Sequence, residues 1–129
     1  MSYIKVMVVD DNDEILDLFK DLFEELKYPV LLARDGCEAL RLFKNERPDV
    51  VFLDIKMPGP DGIETLKKLK QLDNGHNTTV VMITGYGDIE TARQSMRLGA
   101  HEYLTKPIDL NAIKSICEEI TEETVVVNA

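Results

Sequence analysis

The chain reads as a doubly wound α/β domain, a (βα)5 fold built on a five-stranded parallel sheet. Three features of the sequence predict this. Short runs rich in Val and Ile alternate from end to end with stretches whose apolar residues recur at helical spacing. The first, third and fourth runs are almost continuously apolar, as strands buried on both faces must be. Gly, Pro and Asp fall between the runs, where turns and helix starts are needed.

The elements follow in order. Ile4–Val9 is the first strand, and Ile15, Leu18, Phe19, Leu22, Phe23 and Leu26 mark the first helix. Val30–Ala33 is a short second strand. Asp35 with Glu38 resembles a capping box, with Leu40 and Phe43 on one face of the helix it opens and Pro48 closing the segment. Val50–Leu53 is the third strand, and Pro58, Gly59, Pro60 and Gly62 form a loop. Ile63, Leu66 and Leu69 mark the third helix, and Val80–Ile83 the fourth strand. Asp88 is expected to cap a helix carrying Ile89, Ala92 and Met96, which Gly99 stops. Glu102–Thr105 is the fifth strand. Asp109 then caps a last helix bearing Ile113, Ile116, Cys117 and Ile120.

Composition narrows the functional classes. At 129 residues the chain fits one domain, and an apolar fraction of 44% supports an ordinary core. No apolar run approaches the roughly 20 residues needed to span a bilayer. The first residues lack the layout of a signal peptide, so a soluble cytoplasmic protein without membrane association is expected. A net charge of −9, from 15 basic and 24 acidic residues, argues against nucleic-acid binding by this chain alone. Cys37 and Cys117 are read as free thiols of a reducing compartment, and His76 and His101 as surface or loop residues without metal-ligand spacing.

Ligands of open parallel sheets bind beyond the carboxyl ends of the strands, where strand order reverses, a rule general to such folds. Asp10 and Asp11 follow the first strand, Asp54 the third, Thr84 the fourth and Lys106 the fifth. In the flavodoxin-like order 2-1-3-4-5, the first and third strands are neighbours at the reversal, which brings the three acids together. Such a cluster repels itself unless a hard cation is bound, and Mg2+ takes oxygen ligands. A carboxylate flanked by a divalent cation and a lysine suits attack on a phosphoryl group. A threonine hydroxyl there can donate to a phosphoryl oxygen. Taken singly, Asp10 or Asp11 could equally be the cap of the first helix, and Asp54 a turn residue; the joint placement carries the signal.

On five motifs the sequence resembles the bacterial response-regulator receiver family. They are Val8-Val9-Asp10-Asp11, Asp54-Ile55-Lys56-Met57-Pro58 with Asp61-Gly62, Met82-Ile83-Thr84-Gly85, and Tyr103-Leu104-Thr105-Lys106-Pro107. The resemblance implies a receiver domain over residues 1–124, with 125–129 as a C-terminal tail. It implies that Asp54 is the phospho-acceptor. Asp10, Asp11, Asp54 and the Lys56 main-chain carbonyl would bind Mg2+ or Mn2+. Thr84 and Lys106 would contact the phosphoryl group. Thr84 and Tyr103 would act as switch residues on the face of the fourth helix, fifth strand and fifth helix, and the Lys106–Pro107 bond would be cis. The implied partners are a sensor histidine kinase or histidine phosphotransfer protein, and an output domain or downstream protein. Such a chain catalyses its own phosphorylation and slow dephosphorylation but is not otherwise an enzyme. Lys56 and Tyr86 flank the site at positions expected to affect the lifetime of the aspartyl phosphate. Ile108 departs from the pattern, standing where an aromatic is common.

Competing readings fit less well. A haloacid-dehalogenase-like phosphatase would match Asp11-Asn12-Asp13, but Ile15 stands where Thr or Val belongs. A flavodoxin-like electron carrier needs a hydroxyl- and Gly-rich loop where this chain has acids, and there is no Walker loop. The remaining alternative is a receiver-like interaction module not controlled by phosphorylation.

Overall fold

A computed structural model describes residues 4–72, 75–85 and 89–128, without the side chains of residues 76 and 123–128. Tyr86, Asp88 as a helix cap, the His76 side chain and the Val125–Val127 side chains therefore lie outside the described residues. The elements are β1 (Val6–Val9), α1 (Asp13–Leu26), β2 (Val30–Ala33), α2 (Gly36–Glu46) and β3 (Val50–Asp54). They continue with α3 (Gly62–Gln71), a 3-10 turn (Gly75–Asn77), β4 (Thr79–Thr84), α4 (Ile89–Arg97), β5 (Glu102–Thr105) and α5 (Leu110–Asn128). All strand pairs are parallel, in the order β2-β1-β3-β4-β5. The predicted class and order hold, and α5 runs on through residues 125–128, which the sequence set apart as a tail.

Alternate side chains of each central strand point to opposite faces, so the sheet has two cores. Val6, Val8, Val50, Phe52, Val81 and Ile83 pack with α1 and α5. Met7, Val9, Val51, Leu53, Val80 and Met82 pack with α2 and α3. Phe19 and Phe23 of α1 meet Phe52 of β3 with ring centroids 5.6 and 5.9 Å away, the centre of the first core. Ile108 packs against the same core, in the place where an aromatic was noted as usual. Cys117 lies in it as a buried free thiol, which burial, and then Glu118, pushes up to about 12. Cys37 is free and exposed.

Three details depart from the sequence reading. The cap of α1 is Asn12, neither Asp10 nor Asp11: its side chain accepts from Glu14 N and Ile15 N. The buried residues of α1 are Leu16, Phe19 and Phe23, while Leu18 is exposed. On α4 only Ala92 and Ser95 are buried, and Ile89 and Met96 face solvent. The caps at Asp35 and Asp109 and the stop at Gly99, in the left-handed region at φ +104°, are as predicted. Among the described residues no helix is long and apolar enough to cross a membrane.

Candidate functional site

The parallel register fixes which side chains share a strand-end crevice. Val9 is level with Leu53, so Asp10 leaves β1 beside Asp54 at the end of β3. Asp54 is level with Ile83, and Thr84 with Thr105, which places Thr84 and Lys106 at the ends of the next two strands. Main-chain bonds extend the ladder past the strands: Asp10 N donates to Ala33 O (3.0 Å), Ile55 N to Ile83 O (2.9 Å) and Lys106 N to Thr84 O (2.8 Å). The site residues are thus held by the sheet itself, not by free loops. The Lys106–Pro107 peptide that follows is cis, as the resemblance implied.

Carboxylate oxygens of Asp10, Asp11 and Asp54 lie within 4.8 Å of one another. Asp10 and Asp54 are buried, only 1% and 4% exposed, while Asp11 is open to solvent. Lys106 Nζ stands 3.3 Å from Asp10 Oδ2 and 3.6 Å from Asp54 Oδ1, a single cation against three acids. The two oxygens of Asp10 differ. Oδ1 accepts a 2.9 Å hydrogen bond from Asn12 N. Oδ2 is buried with no hydrogen-bond donor among the described residues, its approach to Lys106 being electrostatic without hydrogen-bond geometry. Burial, then Asp10 and Asp11, push the Asp54 carboxyl from 3.8 up to about 6, against the opposing pull of Lys106.

An orphaned, buried carboxylate oxygen beside two further carboxylates is a hard-oxygen donor set short of positive charge. It fits Mg2+ or a similar hard divalent cation. The residues therefore match the cation that the sequence pattern implied.

The other candidates fall around this cluster. Thr84 is buried at the end of β4. Lys56 is exposed two residues beyond Asp54, on the rim of a groove of about 1080 Å3 between α3 and α4 that also includes Met57, Lys67 and Gln94. Tyr103 is not in the crevice. It is level with Met82, 43% exposed, and borders a cavity of about 460 Å3 with Ile89, Ala92 and Met96 of α4.

Two positions shape the crevice without having been singled out for it. A Cβ on Gly62 would run into the Asp54 carbonyl oxygen, and Gly62 N donates to Ile55 O at 2.7 Å. Only glycine lets the first turn of α3 close over the Asp54 main chain. Asn12 ties Asp10 to the start of α1. Its signal was present: an Asn immediately before Asp13-Glu14 and a helical repeat is a regular helix start.

Comparison with known proteins agrees with this geometry. The profile of the response regulator receiver domain matches residues 6–118. Sporulation initiation phosphotransferase F of Bacillus subtilis (strain 168) is 39% identical over 110 residues, which is 85% of this chain and 87% of that protein. Regulatory protein AtoC of Escherichia coli (strain K12) is 35% identical over 88% of this chain, but the match takes in only 24% of AtoC. The crystal structure of a response regulator receiver domain protein from Clostridium thermocellum superposes with a TM-score of 0.86 at 32% identity, covering 96% of this chain and 98% of that one. The match runs through all five strands, whose ends gather the acids and the lysine. The chain belongs to the response regulator receiver domain family, the phosphorylation-controlled switches of two-component signal transduction.

Proposed function

We propose that the receiver unit, residues 1–124, accepts a phosphoryl group on Asp54 from a phosphohistidine of a sensor histidine kinase or histidine phosphotransfer protein. One observation carries the reading. Asp54, its carboxyl held near 6, lies in one crevice with Asp10, Asp11 and Lys106. An Asp54 oxygen forms the new O–P bond as the P–N bond to the donor imidazole breaks, and the imidazole nitrogen keeps the electron pair. Lys106 pairs with a phosphoryl oxygen, and the Thr84 hydroxyl donates to another. Asp10, Asp11, Asp54 and the Lys56 main-chain carbonyl would hold Mg2+ or Mn2+. The bound cation would neutralise the clustered carboxylates and the charge of the transferring group. The same site hydrolyses the acyl phosphate slowly, and no separate substrate is turned over.

Phosphorylation would add close to two negative charges at the crevice. Thr84, turning toward them, would free space beside β5 for the Tyr103 ring and so alter the face of α4, β5 and α5. An output domain or downstream protein would read that face. With its net charge of −9 the chain alone would not bind nucleic acid.

Intact-mass spectrometry after incubation with a small phosphodonor and Mg2+ tests the reading. The wild-type chain should gain one phosphoryl mass that hydroxylamine removes, and Asp54→Asn should gain none. Full modification of Asp54→Asn would place the acceptor elsewhere. No mass gain in the wild type would favour an interaction module not controlled by phosphorylation. In the same experiment Thr84→Ala should still be modified. At matched phosphorylation, its amide shifts over residues 89–98 and 102–104 should respond less than those of wild type. A full wild-type shift pattern would remove the Thr84–Tyr103 coupling.

A further inference from the structure

We infer that Asn12 is a positioning residue for the acidic cluster, fixing which way the Asp10 carboxylate faces. Every described polar contact of this residue serves that end. Its N–H donates to Asp10 Oδ1 at 2.9 Å. Its side-chain oxygen caps α1 by accepting from Glu14 N at 2.8 Å and Ile15 N at 3.4 Å. Its carbonyl accepts the first helical bond, from Leu16 N at 3.1 Å, and Leu16 is buried in the core. The Asn12 main chain, extended at φ −93° and ψ 115°, is therefore held on the side of the helix. Asp10 is held on the other side by the bond from its own N–H to Ala33 O.

The consequence lies in the oxygen that Asn12 does not hold. With Oδ1 held by the Asn12 N–H, the carboxylate is disfavoured from turning, and Oδ2 faces the buried side of the crevice. There it has Lys106 at 3.3 Å and, among the described residues, no hydrogen-bond donor. A freely turning Asp10 would relieve that cost by moving Oδ2 toward a donor or water. Asn12 keeps the acid in the orientation that a cation needs and that an empty crevice disfavours. In this respect it resembles the outer residues that orient metal ligands in other proteins. The role has meaning only if the acidic cluster is the cation site proposed above.

The test is Mg2+ affinity, measured by amide-shift titration of the full chain with Mg2+ alone, alongside thermal stability. Asn12→Ala removes the cap, and should weaken Mg2+ about tenfold. Asn12→Gly should unfold at nearly the wild-type temperature, since a glycine cap costs little, yet lose comparable affinity because the main chain at residue 12 is freed. Asn12→Ser, which can still cap, should stay within about twofold of wild type. Asp35→Ala removes the equivalent cap of α2, whose side chain accepts from Glu38 N, and should leave Mg2+ affinity unchanged despite its loss of stability. Wild-type affinity in both Asn12→Ala and Asn12→Gly would overturn the inference, as would equal weakening in Asp35→Ala. Asp54→Ala separates the two levels. Wild-type affinity in that variant would remove the cation site itself. Lost affinity there, with Asn12→Ala and Asn12→Gly both unaffected, would remove only the role of Asn12.

Discussion

Helices α1 and α4 are attached to the sheet in different ways. α1 sinks Leu16, Phe19 and Phe23 into the core, and two of those rings stack around Phe52 of β3. α4 buries only Ala92 and Ser95, and leaves Ile89 63% and Met96 43% exposed. Ion pairs of Glu90 with Arg93 and Arg97, at 3.7 and 3.9 Å, lie on its outer face and add little in water. The difference suits the two tasks of the proposed function. The helix that Asn12 caps would hold Asp10 still at the crevice. The helix beside Tyr103 would change its position or its company when Asp54 gains charge, and weak attachment makes such a change inexpensive.

The comparison breaks most visibly in the core of α1. Phe19 is fully buried and touches both Phe23 and Phe52. Phe19→Ala should cost about 3–5 kcal/mol in urea unfolding, since it leaves a cavity where three rings met. A loss under about 1 kcal/mol would mean that α1 is no better anchored than α4.

A smaller effect lies in the acidic crevice. The Asp54 carboxyl is raised from 3.8 to about 6, chiefly by burial and secondarily by Asp10. Well below 3.8 the folded and unfolded chains both hold the proton, and there is no penalty. As pH rises through about 6 the folded chain must ionise a carboxyl that its surroundings disfavour, so Asp54 lowers stability on the neutral side. Without divalent cations, Asp54→Asn should be more stable than wild type by about 1–3 kcal/mol near pH 7.5. That advantage should shrink steadily as pH falls through about 4 and vanish well below it. An advantage that grows on acidification would reverse the sign assigned to Asp54. The strain at Asp54 thus coexists with the rigid anchoring of α1: Asn12 and the sheet hold the acids where they repel.

How much of this was legible in the sequence depends on which physical signal each feature leaves. The sheet order and the strand-end acids were readable because a strand with both faces buried must be apolar up to its last residue. Asp10, Asp54 and Thr84 interrupt that pattern where β1, β3 and β4 end, whereas Lys106 was read only from its place after β5, a strand half exposed and not apolar throughout. Helix faces were less legible. On α1 the apolar residues form two adjoining stripes, and Leu18 lies well over a quarter turn from the arc centred on Leu16, Phe19 and Phe23. Periodicity reports that a helix is amphipathic, not which edge of the stripe meets its neighbour. On α4 the small residues Ala92 and Ser95 face the sheet, and Ile89 and Met96 fall at the rim of that arc, toward Tyr103. The Asp10–Asn12 hydrogen bond depends on the turn geometry between β1 and α1, which a residue pattern does not specify.

The smallest expected effect sharpens the comparison from the α4 side. Ile89 and Met96 keep about half of their surface in water or more, so truncating them forfeits only part of the transfer energy of a buried side chain. Alanine offsets some of that loss, because it is the better helix former, by a few tenths of a kcal/mol relative to isoleucine. The cavity beside Tyr103 already lies open, so no void is created within a packed core. Ile89→Ala and Met96→Ala should therefore each change stability by no more than about 0.5 kcal/mol in urea unfolding. Were either to cost as much as about 1.5 kcal/mol, α4 would be packed in the manner of α1. Its exposed apolar residues would then be part of the scaffold rather than the movable side of the switch.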